Sequence, residues 1–247
     1  MDADEVSWGG YAAVLFDLDG VVTPTALVHM RAWADMFNAF LTEHEPGQAP
    51  YTDDDYFQHV DGKPRYDGVR DFLASRGISL PDGAPEDPAT ALTICGLGNR
   101  KNDAFGQVLA RDGVQAYPGS LELLDALDAR GTRTAIVSSS ANAPDVLRAA
   151  GILDRFETVV DGAVARRQQL SGKPAPDTYA YAADVLGVPH PRSVVVEDAV
   201  SGVQAGAAGD FAYVVGVDRG AGAETLRSHG ADLVVSDLAE LVEGVRA

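Results

Sequence analysis

Apolar positions in this chain fall into two kinds of run. From residue 134 onward short β-branched stretches recur: TAIVS (134–138), TVVD (158–161), SVVVED (193–198), YVVGV (213–217) and DLVV (232–235). Helix-length segments separate them, such as SLELLDALDARG, in which Leu121, Leu124 and Leu127 share a face and Gly131 supplies the stop. AAVLF (12–16) is a further strand of the same kind, far upstream. Strands that are apolar throughout, alternating with amphipathic helices, predict a parallel sheet covered on both faces, an α/β doubly wound, Rossmann-like core.

Between the first strand and the rest the period changes. TALVHMRAWADMFNAFLTEH carries Met30, Trp33, Phe37 and Phe40 at helical spacing. YFQHV, GVRDFLASRG and NRKNDAFGQVLARDG continue in helical style, separated by Pro- and Gly-rich breaks such as LPDGAPEDP. No β-branched run interrupts this region. The pattern predicts a helical cap domain at 26–113, inserted into a core made of 1–25 and 114–247.

Composition narrows the partners. Hydrophobic residues make up 46% of the 247, as a globular chain requires. Lys plus Arg total 19 against 37 Asp plus Glu, a formal charge of −18 that argues against nucleic acid and anionic membranes as partners. An anionic small substrate then needs local cations. Cys95 is the sole cysteine, so no intrachain disulfide forms, a reducing compartment fits, and the thiol reads as a small buried apolar group. The acidic start MDADEVSWGG lacks the basic residues and apolar run of a signal peptide. No apolar stretch approaches the ~20 residues that span a bilayer. A soluble, cytoplasmic monomer is expected.

Candidate chemistry gathers where ligands bind in such sheets, at the carboxyl ends of the strands. The first strand, in VLFDLDGVVTPT, stops at Asp17 and Asp19. Continued strand geometry would put both carboxylates on one side, which needs a cation, a shared proton or a sharp turn at Gly20. The second strand runs into Ser138, Ser139 and Ser140, followed by Asn142, and another ends in Glu197 and Asp198. Lys173 lies in SGKPAPD, a loop opening a helix, with Pro176 at a favoured first-turn position. Four carboxylates with no His or Cys among them suit Mg²⁺, while the serines and Lys173 suit an anion. Together they suggest phosphoryl transfer through an aspartyl-phosphate.

DLDGVVT, SSS, GKP and VEDAVSG resemble the four ordered motifs of the haloacid dehalogenase superfamily, each at the end of a predicted strand. The insertion after the first motif resembles the helical cap of that superfamily's β-phosphoglucomutase-like branch, so the resemblance spans about residues 11–240. It implies that Asp17 is the nucleophile and Asp19 the general acid/base. It further implies that Asp17, the backbone carbonyl of Asp19, Glu197 and Asp198 hold Mg²⁺, and that Ser138, Ser139 and Lys173 cradle the phosphoryl group.

In the insertion, TPTALVHMRAW resembles the stretch that places Thr25 at a hinge and His29 one helical turn on. DGKPRYDG resembles the cap loop whose arginine, here Arg65, binds the sugar phosphate. NRKND resembles the segment whose Lys and Asn touch the sugar, here Lys101 and Asn102; Ser140 and Asn142 complete the substrate set. The chain has 16 arginines but only three lysines, Lys63, Lys101 and Lys173, and two of these fall at such positions. Pro24, Asp61 and Ala141 depart from the mutase pattern, which has Asp, Lys and Lys there. The expected reaction is conversion of β-glucose 1-phosphate to glucose 6-phosphate. A sugar-phosphate phosphatase, and more remotely a non-catalytic sugar-phosphate-binding module, are the alternatives.

Overall fold

In the computed structural model, which describes residues 8–247, the chain enters its sheet at β1 (Ala13–Phe16) and leaves it at once. Residues 1–7, most of the stretch read for a leader, lie outside the described residues. Four helices follow: α1 (Thr25–His44), α2 (Asp53–Asp55), α3 (Arg65–Ser75) and α4 (Ile94–Asp112). The chain then returns through α5 (Pro118–Arg130) and β2 (Arg133–Val137). Next come α6 (Ala143–Ala149), β3 (Thr158–Val160), α7 (Gly162–Gln168), α8 (Asp177–Leu186) and β4 (Ser193–Glu197). The order ends with α9 (Val200–Ala208), β5 (Tyr213–Val217), α10 (Ala223–Ser228), β6 (Leu233–Val235) and α11 (Val242–Arg246).

Two units result, one of Thr25–Gly113, the other of the described residues up to Pro24 with Val114–Ala247. Thr25, placed in the α/β part by the sequence pattern, instead opens α1 of the helical unit. Among the described residues no helix is long and apolar enough to cross a membrane.

All six strands are parallel, in the order β3-β2-β1-β4-β5-β6. The order reverses around β1, which pairs β2 on one edge and β4 on the other. Such a reversal opens a crevice beyond the strands' carboxyl ends. Every residue of β1 is wholly buried, so both faces of the sheet are covered, as its uninterrupted apolar run requires. On one face Ala13, Leu15, Ala135, Val137 and Val195 pack against Tyr179, Ala182, Ala183 and Leu186 of α8. Each such aliphatic side chain contributes about 1.5–3 kcal/mol when fully buried.

The helical unit is built on an aromatic stripe. Trp33, Phe37, Phe40 and Leu41 of α1 pack with Tyr51, Phe72 and Leu97, and the Phe37 and Phe72 rings lie 4.2 Å apart. Thr93 caps α4 by accepting a hydrogen bond from the Gly96 N–H (2.9 Å), and Gly113, at φ 66°, ends it. YFQHV is helical but wider than an α-helix: Tyr56–Val60 forms a π-helix closed by the Asp61 N–H on the Tyr56 carbonyl (2.9 Å). Tyr56 and Val60 are both buried there, and a Cβ on Gly68 of α3 would lie 3.3 Å from Val60.

Candidate active site

Strand parity sets the first contacts. Residues two apart share a face, so Asp17 continues the Ala13–Leu15 side of β1 and Glu197 the Val195 side of β4. That is the face covered by α8, and Lys173 lies in the loop leading into it. Its ammonium donates to Asp17 Oδ1 (2.5 Å), to the Val137 carbonyl (3.2 Å) and to Glu197 Oε1, which uses all three of its hydrogens. The Tyr179 hydroxyl also donates to Glu197 Oε1 (2.9 Å), and its ring centroid lies 5.1 Å from the ammonium. Glu197 Oε2 accepts the N–H groups of Asp198 (3.0 Å) and Ala199 (3.1 Å). A Cβ on Gly202 of α9 would sit 1.7 Å from Glu197 Oε1, so this helix approaches the carboxylate only as glycine. Pro176 stands at the N-cap of α8, just ahead of the first turn assigned to it.

The charge puzzle at the end of β1 is resolved by the turn. Gly20 adopts φ 91° and its N–H donates to the Thr23 carbonyl (2.7 Å), while the N–H groups of Val22 and Thr23 share the Leu18 carbonyl (3.0 Å each). Asp198 fills the space a side chain would take, its Oδ2 only 1.8 Å from an ideal Cβ on Gly20. The turn separates Asp19 from the Lys173 contact: its Oδ2 accepts from Ser138 Oγ (3.3 Å). Ser138 Oγ in turn accepts the Ser140 N–H (3.1 Å), and Ser140 Oγ the Asn142 N–H (3.2 Å). The Ser139 carbonyl lies close to Gly162, where a Cβ would come within 2.6 Å of its oxygen.

Electrostatics distinguish the groups. Burial pushes the Asp17 carboxyl well above its ordinary range; Glu197 and Asp19 push the same way and Lys173 opposes them. Burial pulls Lys173 down, yet Asp17 and Glu197 outweigh it and keep the ammonium charged. Burial, then the Glu197 and Asp17 charges, holds the Tyr179 phenol well above its usual value. Oxygens of Asp17, Glu197 and Asp198 lie within 4.8 Å of one another. Such a cluster of carboxylates is a donor set of hard oxygens alone, which fits Mg²⁺.

The helical unit has two cationic clusters. The Lys101 ammonium meets His29 Nδ1, and the His29 ring stacks on Phe105 with centroids 4.0 Å apart. That ammonium also lies 5.0 Å from the Trp33 ring and 5.1 Å from the Phe105 ring. Arg65, the first residue of α3, donates to Asn102 Oδ1 (2.5 Å), while the neighbouring Tyr66 hydroxyl donates to Asn99 Oδ1 (2.9 Å). Thr25 is buried at the start of α1. Lys63 pairs with Asp71 (2.8 Å).

The match to known proteins agrees with this geometry. Residues 11–210 fit the model for haloacid dehalogenase-like hydrolases. This chain belongs to that family. A curated relative from Mycobacterium bovis named beta-phosphoglucomutase is 52% identical over 93% of this chain and 91% of its own length. Hexitol phosphatase A of Escherichia coli is 32% identical over 92% of this chain and 91% of its own. The crystal structure of a Clostridium difficile beta-phosphoglucomutase superposes with a TM-score of 0.76, covering 94% of this chain and 93% of that one at 24% identity, a likeness of fold.

Two residues of the α/β unit escaped the sequence reading. Tyr179 is signalled only by parity, as an aromatic hydroxyl on the helix facing Asp17 and Glu197. Arg219 lies two residues past the end of β5, and its Nε donates to the Gly20 carbonyl (2.8 Å).

Proposed function

We propose that the protein is a β-phosphoglucomutase, interconverting β-glucose 1-phosphate and glucose 6-phosphate through an aspartyl-phosphate on Asp17. The observation that carries this is the division of labour between the two carboxylates after β1. Asp17 is buried against Lys173, whereas Asp19 is turned away onto Ser138. An ionised Asp17 oxygen attacks phosphorus, and the bond from phosphorus to the sugar oxygen breaks. Asp19, outside the Lys173 contact, gives its proton to the leaving oxygen and takes one from the sugar hydroxyl that accepts the phosphoryl group in the second half. Ser138, Ser139 and Lys173 bind the phosphoryl oxygens. Asp17, the Asp19 carbonyl, Glu197 and Asp198 would hold Mg²⁺, which when bound neutralises charge on Asp17 and on the phosphoryl oxygens.

In the helical cap, Arg65 and Lys101 supply the cations that an anionic sugar substrate needs in a chain of net charge −18, with Thr25, His29 and Asn102 on the sugar; Ser140 and Asn142 are the substrate-binding residues of the α/β unit. The 52% identity to a protein of this name favours mutase over phosphatase. The likeness to hexitol phosphatase A keeps hydrolysis as the second reading. A cytoplasmic enzyme fits the sole, buried Cys95, and we take it to act as a monomer.

The test is product analysis. With Mg²⁺, β-glucose 1-phosphate and catalytic glucose 1,6-bisphosphate, the protein should yield glucose 6-phosphate with little free phosphate. Arg65→Ala should reduce isomerisation much more than residual hydrolysis. Stoichiometric phosphate release from several sugar phosphates, without isomerised product, would replace the mutase with the phosphatase.

A further inference from the structure

Three consecutive carbonyls after β1 are each held by a different donor. The Ser120 hydroxyl takes Val21 (2.8 Å) and the Tyr117 N–H takes Val22 (2.9 Å), both from the start of α5. The Gly20 carbonyl is held from far along the chain, by Arg219 Nε at 2.8 Å. A terminal nitrogen of the same guanidinium donates to the Ser236 carbonyl after β6 (3.0 Å), and its Cζ lies over the Tyr117 ring, 4.1 Å from the centroid. Among the described residues no carboxylate is paired with it, and its other terminal nitrogen is buried without a hydrogen-bond partner. Leaving such a nitrogen buried costs about 1–3 kcal/mol. A bond to two carbonyls and a stack on a ring use the planar fork of arginine, which lysine lacks.

Gly20 is the residue against which the Asp198 carboxylate rests, and Asp198 forms one corner of the carboxylate cluster with Asp17 and Glu197. A rotation of the Gly20 peptide would displace Asp198 and alter the spacing of the three. We infer that Arg219 is a positioning residue for the cation site: by holding the Gly20 carbonyl it fixes the turn that seats Asp198 beside Asp17. This rests on the Mg²⁺ reading proposed above. Residues that orient metal ligands typically change affinity by about 10–100-fold when replaced.

Calorimetric titration of Mg²⁺ into the full chain reads the effect without turnover. Arg219→Met should weaken Mg²⁺ binding roughly tenfold or more, Arg219→Lys by less, and Tyr117→Leu, which removes only the stack, by a few-fold. At saturating Mg²⁺ the KM for the sugar phosphate should stay within about two-fold of wild type. Arg130→Met is the control, because it removes an arginine–carbonyl bond to Val245 (2.6 Å) elsewhere in the unit and should leave Mg²⁺ affinity unchanged. Wild-type Mg²⁺ affinity in Arg219→Met, with only a lower Tm, would overturn the inference and leave the cation reading standing. Should that variant fail to fold, Arg219→Lys decides by the same criterion, since unaltered Mg²⁺ affinity there would show that the fork is not required. A wild-type protein that binds no Mg²⁺ would remove the cation reading itself, and this inference with it.

Discussion

Gly20 shows how much one residue can fix. Its positive φ and the 1.8 Å that would separate a Cβ from Asp198 exclude any side chain, so Gly20→Ala must move either the turn or the carboxylate. We expect Gly20→Ala to fold but to lose at least tenfold in Mg²⁺ affinity, measured by titration; wild-type affinity would mean that Asp198 is not a ligand. Asp17 and Asp19 should separate by kind. Asp17→Asn removes the attacking oxygen and should abolish turnover with the far-ultraviolet circular dichroism unchanged. Asp19→Asn keeps its backbone carbonyl, so it should still bind Mg²⁺ while single-turnover transfer slows by roughly 10²- to 10⁴-fold. Loss of metal binding in Asp19→Asn would mean that its carboxylate is a ligand and not the acid/base. The carboxylates and the serines were legible because they stand at strand ends, and Lys173 because it lies in a Pro-rich loop that opens a helix. Arg219 and Tyr179 were not, because one acts through a backbone carbonyl and the other through Glu197, and neither contact leaves a local pattern in sequence.

At the scale of elements, wholly apolar β-branched runs marked all six strands to within a residue or so, since a central parallel strand must be apolar on both faces. Local pattern predicts only a helix at Tyr56–Val60 and not its π form, because the distinguishing hydrogen bond depends on packing against α3 and not on local propensity. Arg76, just past α3, was also silent, yet it binds the loop before α2. It donates to the carbonyls of Ala49 (2.8 Å) and Pro50 (3.3 Å) and to the Asp55 carboxylate (2.8 Å). Burial raises Asp55, but the bonds from Arg76 and Thr52 outweigh it and hold the carboxyl below its usual value. A depressed folded value means that this stability is present above the unfolded pKa of about 3.9 and is lost as pH falls through the folded one. Arg76→Ala should therefore destabilise the helical unit by about 1.5–3 kcal/mol at pH 7, with the difference from wild type shrinking as pH drops below about 4. Trp33 belongs to that unit, so its fluorescence in a Trp8→Phe background, followed through urea, isolates the transition. A pH-independent difference would show that the carbonyl bonds, not the ion pair, carry the effect.

For the molecule as a whole, the same carboxylates that suit catalysis oppose folding. The chain carries a formal charge of −18, and at the centre of its sheet Asp17, Glu197 and Asp198 are buried around a single ammonium. Gathering these carboxylates in a poorly solvated place is costly, and burial with the Glu197 and Asp19 charges pushes the Asp17 carboxyl up in consequence. Removing one of the charges while keeping its shape should then stabilise the metal-free fold. Asp198→Asn is the suitable change, because Asp17 and Glu197 are tied to Lys173 and would leave that ammonium underpaired. We expect Asp198→Asn to raise the metal-free Tm by a few degrees, about 1–2 kcal/mol at some 2–4 °C per kcal/mol for a chain of this size. Mg²⁺ should reverse the ranking. At a hundred times its Kd a ligand of the native state adds about 2.7 kcal/mol, so wild type should gain roughly 5–10 °C and the variant far less. Thermal melts by circular dichroism, with NaCl matching the ionic strength of each MgCl₂ addition, separate this from general screening of the acidic surface. A crossing of the two stability curves with Mg²⁺ would tie the buried charge to the cation. A variant less stable than wild type under both conditions would instead mean that Asp198 is held by hydrogen bonds worth more than the repulsion, and that the cluster is balanced without a metal.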